Sequence, residues 1–341
     1  MAEMNDIVRL GVDAYHGSVE KYSLKEANDT LREALIAANN GSTKLDFRAI
    51  RDGKCNGLFA IVESILANTV IEGLTGNEFF MNYVDFRNMA EGDENLFLIE
   101  DNLLFEVAET ADGTQGIRRQ RLDGVNEKTL ATSMKMIRIY EELNRVLAGR
   151  VDFNHMIGKV SESFQRKVLD DIYTLWINAT TPGVAGGAPM GSAVYFPAAG
   201  NYNEDTLLTL IEHVEAASGQ NATILGTKKA LRNAKESIQC DGAKEELHAM
   251  GYYGNFYGTP CMALPQRHKV GSTAFLLNDN VLNVVAGPDK PIKFVWEGNP
   301  LIIPGNPLNN ADLTQEYVYG QKYGLGLILA GNTGIGCYTL Q

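Results

Sequence analysis

Apolar residues recur at period two in two runs, Asn95 to Ala108 (NLFLIEDNLLFEVA) and Leu130 to Tyr140 (LATSMKMIRIY), and this alternation predicts two strands. Between them lies ETADGTQGIRRQRLDGVNEK, in which Asp112-Gly113, Gln115-Gly116 and Asp123-Gly124 are turn signals. So polar a stretch has no apolar face to bury against its own domain, so the segment is expected to project as a long two-stranded arm. Two strands with no third layer over them are marginal in water, and such an arm needs another molecule to lie on.

Helical spacing dominates on either side. Ser23 and Glu26 form an S-x-x-E capping box ahead of a stripe of Leu24, Ala27, Leu31, Ala34 and Leu35, with Gly41 as the stop. The first fifty residues are therefore expected to be helical arms rather than core. Leu58 to Ile71 predicts a buried helix, and Glu78 to Met89, alternating around Phe80, Tyr83, Val84 and Phe86, a strand. After the arm, Glu141 to Ala148 is closed by Gly149. Asp152 then caps a helix of about 25 residues with Phe153, Met156, Ile157, Val160, Phe164, Val168, Ile172, Leu175 and Trp176 on one face, ending at Thr180-Thr181-Pro182-Gly183.

The glycine-rich VAGGAPMGSA reads as a loop and places a domain boundary near Ala198 to Asn203. Beyond it the elements shorten: a helix over Leu207 to Ala217, a strand over Ala222 to Leu225, and Thr227 as the cap of KKALRNAKESI. Further strands are expected over Cys261 to Leu264, Ala274 to Leu277, Val281 to Val285 and Lys293 to Trp296, with a hairpin turn at Asn278-Asp279-Asn280. Glu316 to Tyr323 and Gly326 to Leu329 read as strands that return the chain to its first domain.

Composition narrows the function classes. The 341 residues carry a formal charge of -12, which argues against a basic shell that would grip nucleic acid. Cys55, Cys240, Cys261 and Cys337 form no Cys-x-x-Cys pair and read as reduced thiols. The start shows no signal-peptide pattern and no later run approaches a membrane span, so a soluble chain is expected. Little catalytic chemistry appears. AGNTGIGC ends at Cys337 with too little chain after it for the helix a dinucleotide would need, so a tight turn between strands is expected. Glu245 and His248 are a single i, i+3 pair where a di-iron bundle needs two, and Asp152 with His155 falls at a helix start. Ser192 has no visible base, His16, His213 and His268 are isolated, and the adjacent acids Asp170-Asp171 and Glu141-Glu142 point apart. No catalytic, cofactor or metal site is expected.

The order of parts, together with TILGTKKALRNAKES (Thr223 to Ser237), GNFYGTPCMALPQ (Gly254 to Gln266) and STAFLLNDNVLNVV (Ser272 to Val285), resembles the major capsid protein of tailed phages, the Hong Kong 97-like family. The resemblance implies an α+β capsid fold: an N-terminal arm at 1–50, a first part of the P-domain at 51–90, an E-loop ribbon at 91–129, the rest of the P-domain with its spine helix at 130–199, a mixed α/β A-domain at 200–288, and returning C-terminal strands at 289–341. It implies copies of the chain in hexamers and pentamers, a virion location after assembly in the host cytoplasm, and only weak contact with packaged DNA. Scaffold, portal and cement or decoration proteins are further partners of such shells, and no membrane is implied.

Two features depart from the family. Some relatives weld E-loops through a lysine isopeptide, yet the ribbon from Glu91 to Glu127 has no lysine and the nearest is Lys128 at its base. Non-covalent locking is expected instead. Arg118, Arg119 and Arg121 at the tip would pair with acidic groups on a neighbour, and Asp112 and Asp123 are further contact candidates. Some relatives also carry a long scaffolding segment, whereas about fifty residues precede the first core helix here. Two other readings stay open: an encapsulin-like nanocompartment shell, and a cytosolic α/β enzyme using the GYYGNFYG loop as a ligand pocket.

Overall fold

A single long helix organises the molecule because one of its faces is apolar from end to end. In the computed structural model, which describes residues 2–16, 23–43, 48–49, 52–99, 107, 119–120, 126–141, 153–180, 195–234, 241–269, 271–287, 289–304, 315–328 and 333–340, the expected spine spans Phe153–Thr180, 28 residues and roughly 42 Å long at 1.5 Å per residue. Val160, Phe164, Val168, Ile172 and Trp176 are buried as the stripe predicts, and Leu169 and Tyr173 join them. Of the segment expected over Glu141 to Ala148 only Glu141 is described, and it ends a strand rather than starting a helix; the rest of it, the proposed cap Asp152 and the glycine-rich loop lie outside the described residues.

Numbered along the chain, α1 is Ala2–His16, α2 Leu24–Ala38 and α3 Asn56–Thr75, with the spine as α5. The Ser23–Glu26 capping box forms as expected. The N-terminal helices are more than arms, however. Val8 and Val12 of α1 and Leu31 and Leu35 of α2 belong to the main core with α3 and α5. Helix α3 is also long and apolar enough to cross a membrane, against expectation. Its residues Leu58, Ile61, Val62, Ile65, Leu66, Val70 and Leu74 are instead buried in that core. Gly73 lets α5 come close: a Cβ there would lie 2.1 Å from Gln165 Nε2, which donates to the Thr69 carbonyl at 2.9 Å.

The strand expected over Glu78 to Met89 is half helix. Asn77 Oδ1 accepts from the backbone N–H groups of Phe79 and Phe80 at 3.0 and 3.3 Å, which caps α4 (Glu78–Tyr83), and extended chain begins only with β1 (Val84–Met89). The local cap overrides an alternation that Phe79, Phe80 and Tyr83 also satisfy at helical spacing.

Two sheets flank the spine. The first has the order β1-β10-β11-β4, where β4 is Ser133–Glu141, β10 Ile292–Pro304 and β11 Gln315–Leu327. Its inner face puts Phe294, Trp296, Tyr319 and Tyr323 into the core. β11 joins the two strands expected at Glu316 to Tyr323 and Gly326 to Leu329 into one. The glycines between them are close-approach points rather than breaks: a Cβ on Gly324 would meet the Ala131 carbonyl oxygen at 2.9 Å, and one on Gly326 a Leu130 methyl at 2.3 Å.

The second sheet has the order β5-β12-β9-β6-β8-β7, with β5 Tyr195–Gly200, β6 Thr223–Gly226, β7 Asn255–Phe256, β8 Thr259–Ala263, β9 Val281–Ala286 and β12 Gly334–Leu340. The expected boundary near Ala198 thus falls inside a strand, parallel to β12. Helix α6 (Glu204–Ser218) covers one face, α7 (Lys228–Leu231) starts on its Thr227 cap, and α8 is Asp241–Met250. The glycine run is explained by packing, since Cβ atoms on Gly334 and Gly336 would meet the Val214 oxygen at 2.8 Å and Leu210 Cγ at 2.9 Å of α6. Ala274 to Leu277 forms no strand beyond one bridge between His268 and Phe275. The Gln266 side chain takes the place of a partner strand there, accepting from the Leu277 N–H at 3.0 Å and donating to its carbonyl at 2.8 Å. Asn278 to Asn280 is accordingly a turn with no hairpin around it.

Candidate inter-subunit surface

Among the described residues the two alternating runs around the arm share no ladder. β2 (Leu96–Ile99) pairs antiparallel with β3 (Asn126–Thr129), a segment expected in the polar tip, while β4 pairs with β11. Asn95 explains where the ladder ends. Its Oδ1 accepts from the Leu130 N–H at 2.6 Å and its Nδ2 donates to the Leu130 carbonyl at 2.8 Å, so one side chain satisfies both backbone groups and frees the next residues to cross the sheet. Of the tip residues Arg119 is described and exposed; Arg118, Arg121, Asp112 and Asp123 lie outside the described residues, as does the rest of the strand expected to run to Ala108, Val107 apart.

The base of the arm has an inner and an outer face. Phe97 is buried, with the Arg87 guanidinium 4.2 Å above its ring. Leu96 and Leu98 point the other way, Leu98 with 62% of its surface exposed. The four-stranded sheet divides similarly. The root of the arm covers the outer face near β1 and the first half of β10, but further along Met134, Met136 and Tyr140 of β4 and Leu301 and Ile303 of β10 are exposed. Met134 and Met136 lie over Gly320, which has no side chain to compete for that space. Exposed apolar residues grouped on one face mark an interaction site, whereas scattered ones do not. The sequence held a signal for it: β4 is apolar on both faces, Ile137 and Ile139 inward and Met134, Met136 and Tyr140 outward, and an edge strand apolar on both faces has two surfaces to cover.

Several other sequence candidates are absorbed structurally, while Ser192 lies outside the described residues. His213 stacks on Phe196 and His268 on Phe275, at 5.2 and 5.3 Å between ring centres. Asp171 accepts from Lys167 at 2.6 Å and from the Tyr323 hydroxyl at 2.7 Å, and burial raises the Asp170 carboxyl above its ordinary value. Cys55, Cys261 and Cys337 are in no disulfide, and burial pushes the Cys337 thiol up to about 11, away from the low values of reactive thiolates. The aromatic loop is half spent on packing: Phe256 and Tyr253 are buried, Tyr257 is exposed, and Tyr252 lines a cleft of about 630 Å³ with Tyr83, Thr223 and Cys261. Among the described residues no group of three or more His, Cys, Asp or Glu could hold a metal ion.

A family model described as "SPbeta prophage-derived putative capsid protein YonB" matches residues 4–339. The chain belongs to this capsid-protein family. Among solved structures, the capsid of a native GTA particle is similar at a TM-score of 0.50 and 13% identity, over 76% of this chain and 89% of that one. The mature capsid of bacteriophage PhiM1 gives 0.46 and 10% over 77% and 87%, and the procapsid of satellite phage P4 0.46 and 11% over 81% and 90%. No curated protein sequence matches. This capsid-family protein has the expected Hong Kong 97-like α+β fold, and it is a structural protein of a phage virion's capsid.

Proposed function

We propose that this capsid protein is the major subunit of the icosahedral head of a tailed phage, tiling it as hexamers and pentamers assembled in the host cytoplasm around double-stranded DNA. It carries no catalytic role. The observation that carries the reading, beyond family membership, is the pair of uncovered apolar surfaces: Leu96 and Leu98 on the arm, and Met134, Met136, Tyr140, Leu301 and Ile303 on the sheet. Each suits the other on a neighbouring copy, since burying apolar area yields about 25 cal/mol per Å² and specific interfaces exceed roughly 1,000 Å². The tip arginines would add ion pairs at the end of the arm. On this reading the E-loop is 91–129, the P-domain is 51–90 and 130–180 with β10 and β11, and the A-domain is built on the six-stranded sheet of β5 to β9 with β12, with the N-terminal helices seated in the core rather than free. The charge of -12 suits a lining that holds DNA weakly, and scaffold, portal and cement proteins are the further partners such a shell would use.

Expression of the chain alone, followed by sedimentation and negative-stain imaging, tests the reading. Megadalton shells, tubes or flat lattices are expected, and deletion of Asp112 to Asp123 should leave a folded subunit that forms no stable particle. Normal particles from the deletion would remove the arm from the assembly mechanism.

A further inference from the structure

We propose that Glu297 is a latch at the root of the arm, fixing both of its strands to the four-stranded sheet and thereby setting the direction in which it projects. The arm leaves the sheet after β1 and returns before β4, and the two crossings meet at this one carboxylate. Glu297 Oε1 accepts from the backbone N–H of Gly92 on the outgoing side at 3.4 Å. Its Oε2 accepts from the hydroxyl of Thr132 on the returning side. Lys322 of β11 donates to Oε1 at 3.0 Å and lies 3.8 Å from Glu91, so a cation clamps the outgoing side as well.

The ground under the latch is braced. Glu297 stands where the register between β10 and β11 shifts, ahead of Leu301. Gln321 Nε2 spans the irregularity by donating to the carbonyls of Glu297 and Gly298 at 3.2 and 3.3 Å. Gly92 and Gly298 both take left-handed conformations, φ +88 and +69, which suit glycine and turn the chain sharply beside the carboxylate. On the returning side the missing side chain of Gly324 lets Ala131 approach the sheet.

Pairing and orientation are thereby separated. Asn95 ties the two strands to each other through Leu130, whereas Glu297 ties them to the sheet. With the latch removed, the arm should stay two-stranded and swing as a unit about 91–92 and 130–132. A carboxylate serving only to stabilise the bulge would predict loosening of β10 and β11 instead.

Hydrogen exchange followed by mass spectrometry on the full chain separates these outcomes, and it reads the subunit itself, so it does not depend on shells forming. In Glu297→Ala, amides of 90–94 and 130–133 should exchange at least about tenfold faster, the scale of a lost charge-assisted hydrogen bond. The β2–β3 ladder, α3 and β9 should keep their protection. In Thr132→Val, which leaves Gly92 and Lys322 in place, only the returning side should respond, and this variant carries the test if Glu297→Ala does not fold. Unchanged exchange at the root, or an equal rise across β10, β11 and the core, would overturn the latch.

Discussion

The two sheets of this molecule solve opposite problems. The six-stranded sheet is covered on both faces. Leu225, Val285 and Ile335 pack toward the spine, and Ile224, Leu282, Val284 and Tyr338 pack toward α6. Its central strand accordingly reads VLNVVA with every residue buried. The four-stranded sheet is covered on one face, and half of the other is left to methionines, tyrosine and aliphatics. A chain that folded for its own sake would make such positions polar. The difference teaches that the six-stranded sheet belongs to the subunit, while on the proposed reading the four-stranded sheet is shared between the subunit and its neighbours.

The comparison breaks hardest where both sheets lean on the spine. Trp176 is fully buried and its ring centre lies 6.1 Å from that of Phe79. Trp176→Ala should lower stability by about 3–5 kcal/mol through the cavity it leaves, read as a fall in the urea midpoint at unchanged slope. A loss below about 1 kcal/mol would mean that the spine is not the shared support.

Next in size is overpacking of the closed sheet. In Gly336→Ala the new methyl would lie 2.9 Å from Leu210 Cγ and 3.1 Å from Val214 Cγ2, so α6 must shift, at about 1–3 kcal/mol. The same measurement checks it. A neutral result would show that α6 rides loosely and that the sheet is less closed than its burial implies.

How far the sequence foretold this arrangement follows from the range of the forces involved. The spine, α3, the capping box at Ser23 and the Thr227 cap were readable because periodicity and caps act within a few residues. The partner of β4 was not, since strand pairing is set by distant chain: β4 finds β11 across a long stretch of sequence, and Asn95 ends the ribbon ladder early. Glycines were misread for the same reason. Gly324, Gly326, Gly334 and Gly336 look like breaks or a loop along the chain, yet each lies under another element. The contacts of the arginine tip were read from the family resemblance and the absence of a ribbon lysine, and of that tip the described residues place only Arg119, exposed.

A smaller effect on the fold should accompany a large one on assembly. Met136 is 57% exposed on the open face, so Met136→Ser should change the unfolding free energy by no more than about 0.5 kcal/mol. Particle yield by sedimentation should nonetheless collapse. A variant that assembles as well as the parent would mean that this face is not the one neighbours cover.

The smallest expected effect tests how firmly the N-terminal helices are joined to the core between the two sheets. Glu26 accepts from the Ser23 N–H and hydroxyl, both at 3.0 Å, and these bonds hold its carboxyl below its ordinary value of 4.5. A carboxylate depressed by folding stabilises the folded state above its unfolded value, and that contribution is lost as the pH falls through the folded-state value. Glu26→Gln keeps the reach-back of the capping box but removes the charge. The stability gap between parent and variant should therefore be widest at neutral pH and close as the pH falls below the ordinary carboxylate range. Because α2 shares Leu31 and Leu35 with the main core, the gap should appear in global unfolding. If it appears only in local exchange of 24–38, the N-terminal helices peel away separately, and the core between the sheets is built by α3 and the spine without them.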